Sequence, residues 1–101
     1  MKKYILALSD EAMADIEDIY DYIAAEIQQP ETASGYKINL IKEIQKLAVY
    51  AGSIAICQSE YIQSRYGPNA RRINYKKMAI IYVVYENCAY IKGVIAGCSI
   101  R

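Results

Sequence analysis

Near residue 70 the apolar side chains of this chain change their spacing, and that change limits the fold more than any other feature. Upstream, Ala12, Ile16, Ile19, Tyr20, Ile23, Ala24 and Ile27 recur every three or four residues, and so do Ala33, Tyr36, Leu40, Ile41, Ile44, Leu47 and Ala48. Such a period gives amphipathic helices, each with one apolar stripe. Downstream the period is two. Arg71, Ile73 and Tyr75 alternate with Arg72 and Asn74, an apolar run follows over 78–85, and another over 88–95. These read as three strands.

Local signals set the boundaries. Tyr4, Leu6 and Leu8 alternate with Ile5 and Ala7 in a short opening strand. Ser9 then stands where an N-cap belongs, with Asp10 and Glu11 in the first helical turn. The spacing predicts a helix over roughly 10–28, ended by Gln28-Gln29-Pro30, and a second over 30–51 that starts on Pro30. Asp15, Asp18 and Asp21 fall off the first apolar stripe and form its solvated acidic face. Lys76-Lys77 and Glu86-Asn87 occupy hairpin-turn positions, with Asn87 the residue expected to accept positive φ. Residues 53–68 carry little beyond the Gly67-Pro68 turn. The expected fold is α+β in the order β-α-α-β-β-β: a helical hairpin packed on one face of a small, mostly antiparallel sheet, in one domain spanning 1–101.

Composition narrows the chemistry. A chain of 101 residues, 54 % hydrophobic and 23 % charged, suits a single soluble domain with one core. No apolar run approaches the roughly 18 residues of a membrane helix. The opening Met1-Lys2-Lys3-Tyr4-Ile5-Leu6-Ala7-Leu8 has the start of a signal peptide, but Ser9-Asp10-Glu11 follows in place of a cleavage site. Cys57, Cys88 and Cys98 are odd in number and unpaired in pattern, which points to free thiols in a reducing cytoplasm. There is no His, so Ser/His and Cys/His nucleophile systems are excluded, and scattered Cys and carboxylates offer no metal site. The glycines match no phosphate-binding loop. No cofactor is expected.

The near-neutral net charge conceals a division. Residues 1–32 hold two basic and eight acidic side chains and sum to −6, while residues 33–101 hold ten and three and sum to +7. A basic half of this kind points to an acidic partner or to nucleic acid, or else only keeps the domain soluble. Arg71, Arg72, Lys76, Lys77, Lys92 and Arg101, with several Tyr, are the side chains able to hold an anion or stack on a base. The strand over 78–85 is apolar on both faces, with Ile80, Tyr82 and Val84 on one and Ile81, Val83 and Tyr85 on the other. A single hairpin covers only one of them. A binding partner is the expected cover of the second face, and residues 53–68 folding over it are the alternative.

The opening strand, Ala12, Asp15-Ile16, Ile19-Tyr20-Asp21-Tyr22-Ile23-Ala24, Pro30, Ala33, Leu47, Arg71-Arg72-Ile73, Ile80-Ile81-Tyr82-Val83-Val84 and Tyr90-Ile91 together resemble the ParE/RelE superfamily of bacterial type II toxins, over nearly the whole chain. The Tyr-Ile-Ala sequence followed by Pro and Ala is closer to the ParE branch. The resemblance implies a toxin of a plasmid-stabilising toxin–antitoxin module, cytoplasmic, neutralised by a cognate antitoxin and acting on DNA gyrase without chemistry of its own. Arg71, Arg72, Ile81, Val83 and Tyr85 would then bind the antitoxin, and Lys92 and Arg101 the target. The alternatives are a RelE-like endoribonuclease acting on the ribosome and mRNA, with Arg71, Arg72, Lys76 and Lys77 as catalytic groups, or a non-toxic relative that only binds antitoxin. Two features depart from the family pattern. The end of the chain, Ala96-Gly97-Cys98-Ser99-Ile100-Arg101, keeps only the glycine of the basic ParE tail, and residues 49–58 lack the proline found after the second helix.

Overall fold

The computed structural model describes residues 3–27 and 30–99. The chain runs through β1 (Ile5–Leu8), α1 (Asp10–Ile27), α2 (Pro30–Gln45), a single helical turn α3 (Leu47–Tyr50), a 3-10 turn (Ala51–Ser53), α4 (Glu60–Tyr66), β2 (Arg71–Tyr75), β3 (Met78–Tyr85), β4 (Cys88–Ala96) and a closing 3-10 turn (Gly97–Ser99). The strands form one sheet in the order β1-β4-β3-β2, with β1 parallel to β4 and the other pairs antiparallel. The α+β architecture and the β-α-α-β-β-β order are those expected, with α3 and α4 added between the hairpin and the meander.

Ser9 caps α1 as its position predicts: its Oγ accepts the Ala12 N–H at 3.0 Å. The same hydroxyl donates to the Lys92 carbonyl at 3.1 Å, and the Ser9 N–H donates to the Ile91 carbonyl at 3.0 Å, so one residue joins helix start to sheet. Beyond Leu8, β1 no longer covers the edge of β4. Asp15 takes over there, its Oδ2 accepting the Val94 N–H at 3.0 Å. Asp15 therefore does not belong to the solvated acidic face of α1. Partial burial raises its carboxyl above the usual carboxylate range, and the hydrogen bond from Val94 offsets part of that rise.

The core lies between hairpin and sheet. Ala12 and Ile16 of α1, Leu40 and Ile44 of α2, and Leu47 meet Ile80, Tyr82, Ala89, Ile91 and Val94. Ile19 and Ile23, on the apolar stripe of α1, and Ile95, at the end of the last apolar run, are only half-buried. The hairpin turns also differ in detail from expectation: Lys76 and Glu86, the first residue of each turn, take positive φ (52° and 55°), and Asn87 does not.

The second sheet face has its own cover. Ser59 caps α4 by accepting the Ile62 N–H, and Gly67, at φ 108°, ends it in a conformation that favours glycine. Ile62 is fully buried against Ala70, Ala79 and Ile81, with Tyr61, Tyr66, Val83 and Ile95 around them. Residues 53–68 thus fold over this face of β3. Ile81, expected to meet a partner, is buried beneath α4.

The Asp15 contact gives a clear test. Asp15→Ala leaves the Val94 N–H unpaired and is expected to destabilise by about 1–3 kcal/mol. Asp15→Asn keeps an acceptor oxygen and removes the charge that burial opposes, so it should cost less in urea denaturation. The reverse order would discount the hydrogen bond.

Candidate partner-binding site

Adjacent residues of β2 face opposite ways, and the register decides which. Arg71 pairs with Tyr82 and so lies on the hairpin side, while Arg72 pairs with Ile81 on the α4 side. The consequences differ sharply. Arg71 Nη1 donates to the carbonyls of Ala51, Gly52 and Ile54 at 3.3, 3.2 and 2.8 Å. Tyr82 Oη donates to the Ala51 carbonyl at 2.9 Å. The two side chains hold the turn that leads out of α3, where three carbonyls would otherwise lack partners. Gly52 is needed in that turn because Tyr4 packs on it: a Cβ there would lie 2.0 Å from the Tyr4 hydroxyl. Arg71, expected in the antitoxin site and as a catalytic candidate, is thus occupied within the fold.

Lys76 and Lys77 are exposed, Arg72 is half-buried, and the three come together. They line a cleft of about 550 Å³ with Asn74, Gly97 and Cys98, and Arg72 Nε donates to Asn74 Oδ1 at 2.9 Å. Around the end of the sheet lies a second, apolar groove of about 560 Å³, lined by Ile19, Tyr22, Ile23, Tyr36, Met78 and Ala96. Lys76, Lys77, Met78 and Ala96 border both openings, so the two are continuous across the β2–β3 turn. Lys76 is held at this junction above the rings of Tyr36 and Tyr75, 5.6 and 5.7 Å from their centroids, and the rings meet edge to face at 5.2 Å.

The groove follows from where α1 is fastened. Asp15 sits at Val94, only two residues before β4 ends at Ala96, whereas α1 continues to Ile27. At about 1.5 Å per residue that is roughly 18 Å of further helix. Its apolar stripe overhangs the sheet, which leaves Ile19 and Ile23 half-covered and Tyr22 67 % exposed. Their spacing put Ile19 and Ile23 on the apolar stripe of α1, and sequence reasoning assigned no site role to Tyr22, Tyr36 or Met78.

The other expected residues lie apart. Val83 is half-buried beside α4, and Tyr85 is 65 % exposed at the end of β3 remote from the Lys76-Lys77 turn. Lys92 is exposed beside the irregularity in β3–β4 pairing. Arg101 lies outside the described residues. Cys57 and Cys88 are half-buried and Cys98 is exposed, all as free thiols. Among the described residues no group of three or more Cys, Asp or Glu is placed to hold a metal ion, and no helix is long and apolar enough to cross a membrane.

Two measurements check the Arg71–Tyr82 clamp. Arg71→Ala should lower stability by about 1–3 kcal/mol in urea, while Arg72→Ala, which loses only the contact to Asn74, should change it by less than about 0.5 kcal/mol; equal effects would deny the clamp. Burial pushes the Tyr82 phenol from its usual 10.0 up to about 12, against a smaller opposing effect of Arg71. The folded state therefore holds this proton more tightly than the unfolded chain. The associated stability is present below pH 10 and is lost as pH rises toward 12, a loss that Tyr82→Phe should diminish.

Comparison with known proteins agrees with this architecture. The family model of the ParE toxin of the type II toxin–antitoxin system parDE matches residues 6–95. No curated protein matches the chain. A solved structure of a chromosomal ParDE TA system from P. aeruginosa shares the fold, with a TM-score of 0.78 at 21 % identity over 93 % of this chain and 96 % of that one. The family match extends from Leu6 in β1 to Ile95 in β4, through the helices and strands that build both openings. On that span, the chain belongs to the ParE toxin family of type II toxin–antitoxin systems.

Proposed function

We propose that this toxin is neutralised by an antitoxin whose acidic, amphipathic segment docks at the end of the sheet, and that the free protein acts on DNA gyrase. The observation that carries the docking surface is the continuity of the apolar groove with the basic cleft. Apolar residues of the segment would enter between Tyr22, Ile23 and Met78. Its carboxylates would meet Lys76, Lys77 and Arg72, whose guanidinium is the only one of the Arg71-Arg72 pair not spent on backbone carbonyls. This reading moves the antitoxin contacts away from Arg71 and Ile81 and keeps Arg72. The gyrase target comes from family membership. Lys92 stays a candidate for target contact because its side chain is exposed.

Titration calorimetry with the cognate antitoxin tests the surface. Tyr22→Asp, and separately Arg72→Glu with Lys77→Glu, should each weaken binding by about tenfold or more, while Lys3→Glu should leave it nearly unchanged. Equal losses from all three would reduce the effect to overall charge. For the target, the free protein should inhibit gyrase supercoiling, with antitoxin restoring it. Translation-dependent mRNA cleavage without gyrase inhibition would reassign the toxin to the ribosome.

A further inference from the structure

α4 covers only part of its sheet face. It seals Ala79 and Ile81 and borders the half-buried Ile95, and its last residue, Tyr66, packs on Gly93, where a Cβ would come within 2.7 Å of the phenol oxygen. Toward the Glu86-Asn87 turn the face is open. Strand register sets two rows there: Ile5, Cys88 and Tyr85 across β1, β4 and β3, and Ala7, Tyr90 and Val83 beside them. Ile5 is 61 % exposed, Tyr85 65 % and Tyr90 40 %. Single exposed apolar side chains are ordinary, but a contiguous platform on a flat sheet marks a contact surface.

We propose that this platform docks a second copy of the chain, face to face, about a two-fold axis that lies in the interface and runs across the strands. Two features select this occupant and this axis. The first is shape. The face is a step, with α4 as the raised part and the platform as the low part. Two such steps interlock only when the strands of one copy are reversed against those of the other, so that each α4 sits beyond the turn of its mate. An axis along the strands would set α4 on α4.

The second feature is charge. Ala89 pairs with Leu6 at the middle of the platform and stands midway in sequence between Glu86 and Lys92, both exposed. Glu86 opens the β3–β4 turn at the margin of the platform, with its side chain exposed. Reversal about Ala89 brings Glu86 of each copy to Lys92 of the other. An axis along the strands would instead oppose Lys92 to Lys92. The patch is thus complementary to itself in one arrangement, as an isologous contact requires. Its small extent gives a weak, reversible dimer, and the proposal holds whichever target the toxin has.

Sedimentation velocity on the full chain from roughly 5 to 500 µM should show a monomer converting to a dimer as concentration rises. Glu86→Lys and Lys92→Glu should each raise the dimer Kd by about tenfold, and the two together should restore it to within about threefold of the original. Tyr90→Ser should abolish the dimer. With Cys57→Ser and Cys98→Ser in place, a short bismaleimide should link two chains through Cys88. A monomer at every concentration overturns the proposal. So does a double charge variant no tighter than either single one, since that would deny the pairing of Glu86 with Lys92. Loss of antitoxin binding in a Tyr90→Ser chain that was monomeric throughout would give the platform to a different partner and would likewise overturn it.

Discussion

The eight residues of β3 have almost no side chain suited to water, and a four-stranded sheet gives them two faces to cover. Ile80 and Tyr82 are sealed by the α1–α2 hairpin, and Ala79 and Ile81 by α4. Each buried Ile is worth about 1.5–3 kcal/mol relative to exposure, so leaving either face bare would remove a large share of the stability of a domain this size. The hairpin alone cannot satisfy this requirement. The segment between hairpin and meander is therefore part of the core: Ile56 bridges to Arg71, and the Cys57 N–H donates to the Ala70 carbonyl at 2.9 Å, which brings the chain across to place Ile62. Arg65 then ties the far end of α4 to Glu11 of α1 at 3.0 Å, an exposed pair that adds direction more than energy.

The same alternation that makes β3 apolar on both sides divides the basic residues of β2. Arg71 and Arg72 are neighbours in sequence with opposite placements, one closing the turn after α3 and the other lining the cleft beside Asn74. Charge on the sheet edge is consequently smaller at the surface than the sequence suggests. Lys76 is further restrained by its two tyrosine rings. On the docking surface proposed above, the partner would meet a short basic rim around an apolar opening. Such a rim favours a segment that brings both a hydrophobic face and carboxylates, and a polyanion lacking the first would leave the groove empty.

The helices and strands were legible because each is long enough for its period to repeat. α1, β2, β3 and β4 all fall close to their expected limits, and Ser9 caps where a cap was expected. α2 starts at Pro30 as expected but ends at Gln45, with the expected span to 51 broken into α3 and a 3-10 turn. α4 was not legible. Seven residues make two turns, too few for Tyr61, Ile62 and Tyr66 to establish a stripe, although Ser59 before Glu60 and Gly67 after Tyr66 were start and stop signals of the usual kind. Missing that helix is what left the second face of β3 to a partner and put Ile81 in the site. Alternation also shows that Arg71 and Arg72 part company without telling which faces inward. That depends on the carbonyls of residues 51–54 lying beneath Arg71, a contact across some twenty residues. Asp15 was assigned to solvent for a similar reason: nothing nearby in sequence reveals that β1 stops short of Val94.

The parallel pairing of β1 with β4 joins the start of the chain to its end. Ile5 meets Cys88 and Leu8 meets Ile91, and among the described residues β4 is the only strand that holds β1 to the sheet. Closing so long a loop is entropically costly and slow compared with forming the helices. During synthesis, α1 and α2 can emerge and associate early, but their apolar faces have no sheet to rest on until β3 and β4 follow. The core is therefore completed only once β4 has been made, and a chain cut before Cys88 lacks the strand that carries Ala89, Ile91 and Val94.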